Sequence, residues 1–162
     1  MIRFLFSVIT AAIIVLSSCE QEPVNPGDFT LTPSLEVVQI SDTAGTVYPL
    51  TIQRSFDTTY QSGKKGKYIE LDTILLNAAR GEVQIKLLTN ARWLAPIPDF
   101  QGKIAWYQTQ NSSGGGDGII KARLSPGLSK VRRPILANQY IYTRDSLVMY
   151  RIIFNQKAQN EN

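Results

Sequence analysis

The sequence predicts an all-β fold, an antiparallel β-sandwich, and three observations carry that expectation. Apolar and polar residues alternate with a period of two in several stretches. Clusters of Gly, Pro, Asn and Ser separate those stretches at short intervals. No segment beyond residue 30 shows a capped period of 3.6. Successive side chains of a strand point to opposite faces, so a period of two puts one apolar row on a core and leaves the other to solvent.

The elements follow in order. Leu35 to Ile40 is apolar enough for a first strand, and Tyr48, Leu50 and Ile52 mark a second. Val83, Ile85 and Leu87 alternate with Glu82, Gln84 and Lys86, a half-buried strand. Trp93 closes the next run. Ile120, Ala122 and Leu124 alternate with Lys121 and Arg123. Val148, Tyr150, Ile152 and Phe154 line one face of a late strand whose other face carries Leu147, Met149, Arg151 and Ile153. Turn chemistry separates the runs at Ser41 to Gly45, Gln61 to Gly66, Asn77 to Gly81, Pro96 to Gly102, Asn111 to Gly118 and Ser125 to Lys130. Seven or eight short strands result. Pro134 lacks a backbone donor, so pairing there should start late or lie at an edge.

A different signal precedes the strands. Arg3 opens a basic start, an apolar run follows to Leu16, and Leu16-Ser17-Ser18-Cys19 holds the only cysteine of the chain. The run is shorter than the about 20 residues that a bilayer-spanning helix needs. These residues resemble the signal and lipobox of bacterial lipoproteins. The resemblance implies removal of residues 1–18 and lipidation of Cys19, with two or three acyl chains holding the protein on the membrane. Residues 19–30, with Pro23, Pro26 and Gly27, then read as a flexible tether. Glu20 and Glu22 are similar to the surface-export signal of Bacteroidetes lipoproteins. An outer-membrane lipoprotein is implied, on the cell surface or the periplasmic face.

Composition narrows the function classes. The 162 residues carry a net charge of +4, spread along the chain, which is too mild to argue for nucleic acid. There is no histidine, and with Cys19 acylated no thiol remains, so the usual general base and the imidazole and thiolate metal ligands are missing. Neither a catalytic residue, a metal site nor a cofactor is expected, and the chain reads as a non-enzyme. Lys64-Lys65-Gly66-Lys67 reads as a solvated turn.

From Gly81 to Lys157 the order of features resembles a BACON domain (Bacteroidetes-associated carbohydrate-binding, often N-terminal). Gly81 to Ile85 is similar to the opening strand of that family, and Thr89-Asn90-Ala91-Arg92-Trp93 to its asparagine and tryptophan signature. Ser112 to Gly118 matches a Gly/Ser-rich loop. Arg132-Arg133 falls where the family carries an arginine, and Tyr150 to Gln156 resembles the closing strand, which ends in glutamine. The resemblance implies an immunoglobulin-like sandwich over 81–157, with Trp93 in the core and a role in binding glycans or envelope protein partners. Residues 31–80 would be an extension of that sandwich or a small separate unit, and 158–162 a disordered tail.

The binding candidates come from residue types. Trp106 and Tyr107 are neighbours on an expected strand, so at most one should be core and the other exposed. Beside them stand Gln108, Gln110 and Asn111. A ring face can cover the apolar side of a pyranose while amides meet its hydroxyls, which makes this cluster the expected glycan platform. Tyr140 and Tyr142, two apart, share one face and fit either core or an exposed stripe. Ser113 to Gly118 lacks the Lys-Ser/Thr and the helix of a phosphate loop. Glu70 and Asp72 share a strand face, as solvated strands often have it.

Overall fold

A computed structural model describes residues 32–59, 63, 65–98 and 104–161. The signal, the lipidation of Cys19 and the tether lie outside the described residues. Two sheets pack face to face around one core, and no α-helix occurs among the described residues. The first sheet contains β1 (Leu35–Asp42), β2 (Val47–Tyr48), β6 (Gly81–Thr89), β8 (Tyr107–Thr109) and β10 (Gly118–Leu124) in the order β2-β1-β6-β10-β8. The second runs β3 (Ile52–Thr59), β4 (Lys65–Leu71), β12 (Val148–Gln156), β11 (Ala137–Thr143), β7 (Arg92–Leu94), β9 (Ser113–Gly115). The remaining strand, β5 (Ile74–Leu76), pairs with the far half of β12.

Alternation explains the core. On β6 Val83, Ile85 and Leu87 are fully buried, and on β10 Ile120 and Ala122 join them. Ile141, Ile152 and Phe154 supply the opposing layer from β11 and β12. The rings of Tyr107 and Phe154 stack across the interface between the sheets, with centroids 5.1 Å apart and 21° between planes.

Strands from 35–76 are built into both sheets. β1 pairs antiparallel with β6 over nearly its whole length, and β4 pairs with β12. The pairs β12–β4 and β12–β5 are parallel, a departure from the all-antiparallel expectation. β12 supplies the reason. It pairs antiparallel with β11 on one side, and the chain from Lys65 to Leu76 runs along its other side in the same direction, with a break between Leu71 and Ile74.

Two more expectations change. Residues 158–162 were expected to be disordered, yet a 3₁₀ turn spans Gln159–Glu161. Ala158 is buried, the Gln159 backbone donates to the Leu128 carbonyl at 2.8 Å, and Arg132 pairs with Glu161 at 2.9 Å. Residues 158–161 are thus hydrogen-bonded onto the segment that follows β10. Within the stretch expected as a Gly/Ser loop, Ser113–Gly115 forms β9 and pairs with β7. Glycine allows this, because the strand lies directly on an indole. A Cβ on Gly114 would sit 2.3 Å from Trp93 Cζ2.

Candidate functional site

The expected platform does not exist in this form. Trp106 and Tyr107 are both buried, at 5% and 1% exposure. Alternation fails here because Trp106 lies in the turn before β8, not on the strand, so its ring is free to fold inward beside that of Tyr107. Its indole Nε1 donates to the Ile135 carbonyl at 3.1 Å, and the Arg133 guanidinium lies 5.7 Å from the ring centre. The amides are placed separately. Asn111 uses its side chain on the backbone of β10, donating to Ile119 O and accepting from Lys121 N, both at 2.7 Å. Gln108 and Gln110 are exposed on the outer face of the first sheet, where Gln108 stands opposite Arg123 and, among the described residues, no exposed ring adjoins them. Trp93 is 3% exposed, and its Nε1 donates to the Gly116 carbonyl at 3.1 Å.

A different surface brings aromatic and polar groups together: the outer face of the second sheet. Register fixes its rows, because residues directly opposite on paired strands share a face. Phe56 of β3 stands opposite Tyr68 of β4, Tyr68 opposite Met149 of β12, and Met149 opposite Tyr142 of β11. The adjoining row runs Arg54, Glu70, Arg151, Tyr140. Phe56 and Tyr140 are 40% and 37% exposed, while Tyr68, Met149 and Tyr142 are half-buried by their neighbours.

Polar contacts hold this face still. Arg151 Nη1 donates to Glu70 Oε2 at 2.8 Å, and its Nη2 donates to Asn138 Oδ1 at 2.9 Å. The Tyr68 hydroxyl donates to the same Glu70 oxygen at 3.1 Å. The Arg151 hydrogen bond, helped by that of Tyr68, keeps the Glu70 carboxyl below its ordinary range. Burial raises the Tyr68 hydroxyl, and the neighbouring Glu70 adds to that effect. The phenol therefore stays protonated and the carboxylate charged at neutral pH, which keeps donor and acceptor matched. At the edge, the Arg54 guanidinium lies 4.9 Å from the centre of the Phe56 ring, which in turn tilts against Tyr68 with 5.0 Å between centroids.

Sequence reasoning reached only part of this face. It left Tyr140 and Tyr142 undecided and treated Glu70 as an ordinary solvated position. Phe56, Tyr68, Arg54 and Asn138 were missed, because the row exists only through the parallel β4–β12 pairing of residues 81 apart at Glu70 and Arg151. The available signal was Met149 and Arg151 alternating with a core row on β12.

Elsewhere, a depression of about 270 Å³ lies where the chain enters β1, lined by Thr32, Pro33, Asp57, Lys65 and Lys67 among others. Lys65 and Lys67, expected in a turn, belong to β4. No group of three or more acidic or cysteine side chains placed to hold a metal occurs among the described residues. Compared with protein-family models, curated proteins and solved structures, the chain matches none.

Proposed function

We propose that this chain is a non-catalytic, BACON-like glycan-binding module, held in the bacterial outer envelope by acyl chains on Cys19. One observation carries the reading: the aromatic row Phe56, Tyr68, Met149, Tyr142 beside the ordered polar row Arg54, Glu70, Arg151, Tyr140. Three inter-strand steps of about 4.8 Å make that row about 14 Å long. That length suits a short run of sugar units lying across the strands better than a single ring. Apolar sugar faces would rest on Phe56 and Tyr142, and hydroxyls would meet Tyr140, Asn138 and the exposed part of Arg151. Each such bond replaces one to water, so affinity should be modest. The Arg133 Nε contact to Gln156 Oε1, at 3.1 Å, joins two residues through which the chain resembles the BACON family and so supports that likeness.

The test is a glycan array probed with the full chain in detergent, followed by titration calorimetry on the hits. Phe56→Ala and Tyr142→Ala should each weaken binding by about tenfold or more, as loss of an anchoring aromatic does, with the melting temperature nearly unchanged. Intact mass should show a chain beginning at an acylated Cys19, and Cys19→Ser should release it from the membrane. A blank array sinks the glycan reading, and an unmodified thiol sinks the anchor.

A second reading, docking of an envelope protein, is favoured by the segment between β10 and β11. There Val131 and Ile135 stand 59% and 47% exposed, while neither tryptophan reaches the surface. In that case the array is blank, and Val131→Asp abolishes co-purification of a partner.

A further inference from the structure

We propose that the outer edge of β3 pairs with β3 of a second copy of this chain, joining the two second sheets into one continuous sheet. The inference rests on edge geometry and stands independently of the glycan reading. Each sheet has two edges, and an exposed edge offers unpaired backbone donors and acceptors to any passing strand. Folded proteins usually blunt such edges, most simply by keeping them short. Three of the four strands that end the two sheet orders are short: β2 has two residues, β8 three and β9 three, and β5, which pairs only with β12, also has three. The fourth, β3, has eight. It contains no proline, its one irregularity lies at its start between Ile52 and Arg54, and all but one of its residues are exposed, on both faces. Its free side pairs with no strand among the described residues.

Charge selects the occupant and the register. A two-fold axis normal to the sheet makes the two β3 strands antiparallel and keeps outer face with outer face. Centred on Arg54 or on Asp57, the pairing sets like charges directly opposite, which is unfavourable. Centred on Ser55, it sets Arg54 of each copy opposite Phe56 of the other, twice. Guanidinium and ring already attract within one chain at 4.9 Å, so the same pairing is repeated between copies. Centred on Phe56, Arg54 would face only Thr58 and lose that contact. The Ser55 register is therefore the one the sequence of β3 favours. It would also run the outer aromatic face of one copy into that of the other.

Sedimentation equilibrium of the full chain carrying Cys19→Ser should show a reversible dimer. Ser55→Cys in that background puts two thiols directly opposite, with Cβ atoms about 4.5–5.5 Å apart, close to disulfide spacing. Mild oxidation should then yield a covalent dimer, whereas Lys86→Cys, on the outer face of the first sheet, should yield none. Ser55→Lys should shift the equilibrium several-fold toward monomer with an unchanged circular dichroism spectrum, since Ser55 is exposed. A chain that stays monomeric at every concentration overturns the proposal. So does a dimer that Ser55→Lys leaves intact and Ser55→Cys fails to cross-link.

Discussion

Gly114 and Trp93 form a pair in which each residue fixes the other. The indole lies under β9, its Nε1 tied to Gly116 O, and leaves no room for a side chain above it. Gly114→Ala should therefore destabilise by about 1–3 kcal/mol through overpacking, and Trp93→Ala by about 3–5 kcal/mol through the cavity it leaves. Urea denaturation of both variants checks this. A Gly114→Ala chain as stable as the parent contradicts the contact. Tyr107 gives a prediction of the opposite sign. Its hydroxyl is buried with no hydrogen-bond partner among the described residues, and that burial pushes its ionisation far above the usual range. Tyr107→Phe keeps the stacking on Phe154 and removes the unsatisfied group, so the melting temperature should hold or rise. The gain should be on the order of 1 kcal/mol, and a marked loss would mean that the hydroxyl is satisfied in solution.

Among the elements, legibility followed burial. β6, β10 and β12 each carry a buried row against a half-exposed one, and their alternation stands plainly in the sequence. β3 has no buried face at all, so Arg54, Phe56 and Thr58 show no period against Ser55 and Asp57, and the β3–β4 hairpin went unread. Trp106 misled for a related reason, since a period of two says nothing about a ring placed in a turn. Long-range pairing was out of reach altogether. Nothing near Glu70 in the sequence points to Arg151. The same elements set an acid response. The carboxyls of Glu70 and Glu161 sit below their ordinary 4.5, held by the hydrogen bonds of Arg151 and Arg132 respectively. Asp42 sits below 3.8 despite its burial, through hydrogen bonds from Tyr48, Thr46 and Asn77. Values lowered by folding contribute stability that is present above the unfolded value and lost as pH falls through the folded one. Stability should therefore be level from neutral pH down to the unfolded range and decline below it. Glu70→Gln should make that decline shallower in pH-dependent thermal melts, and an unchanged profile would detach Glu70 from it.

At the scale of the molecule, the two ends of the sandwich differ. Leu35 meets Thr89 at one end, beside Thr32 and Pro33, where the chain enters the first sheet. Leu124 meets Gly81 at the other, from which the exposed apolar segment with Val131 and Ile135 departs. Any tether ahead of residue 32 thus joins the end away from that segment. The outer face of the second sheet runs along the side between the ends.

The place of β12 in the chain has a consequence for how the protein is made. It is the last strand described, yet it lies inside the second sheet, between β4 and β11, and the Lys65–Leu76 stretch has no other neighbour on that side. A growing chain that has not yet delivered residues 148–156 leaves that sheet in three unjoined pieces, β3 with β4, β5 alone, and β11 with β7 and β9. Pairings so distant in sequence also form slowly. Such a chain stays loose until β12 arrives. For the same reason, a message cut short before that strand would yield a product that proteases clear.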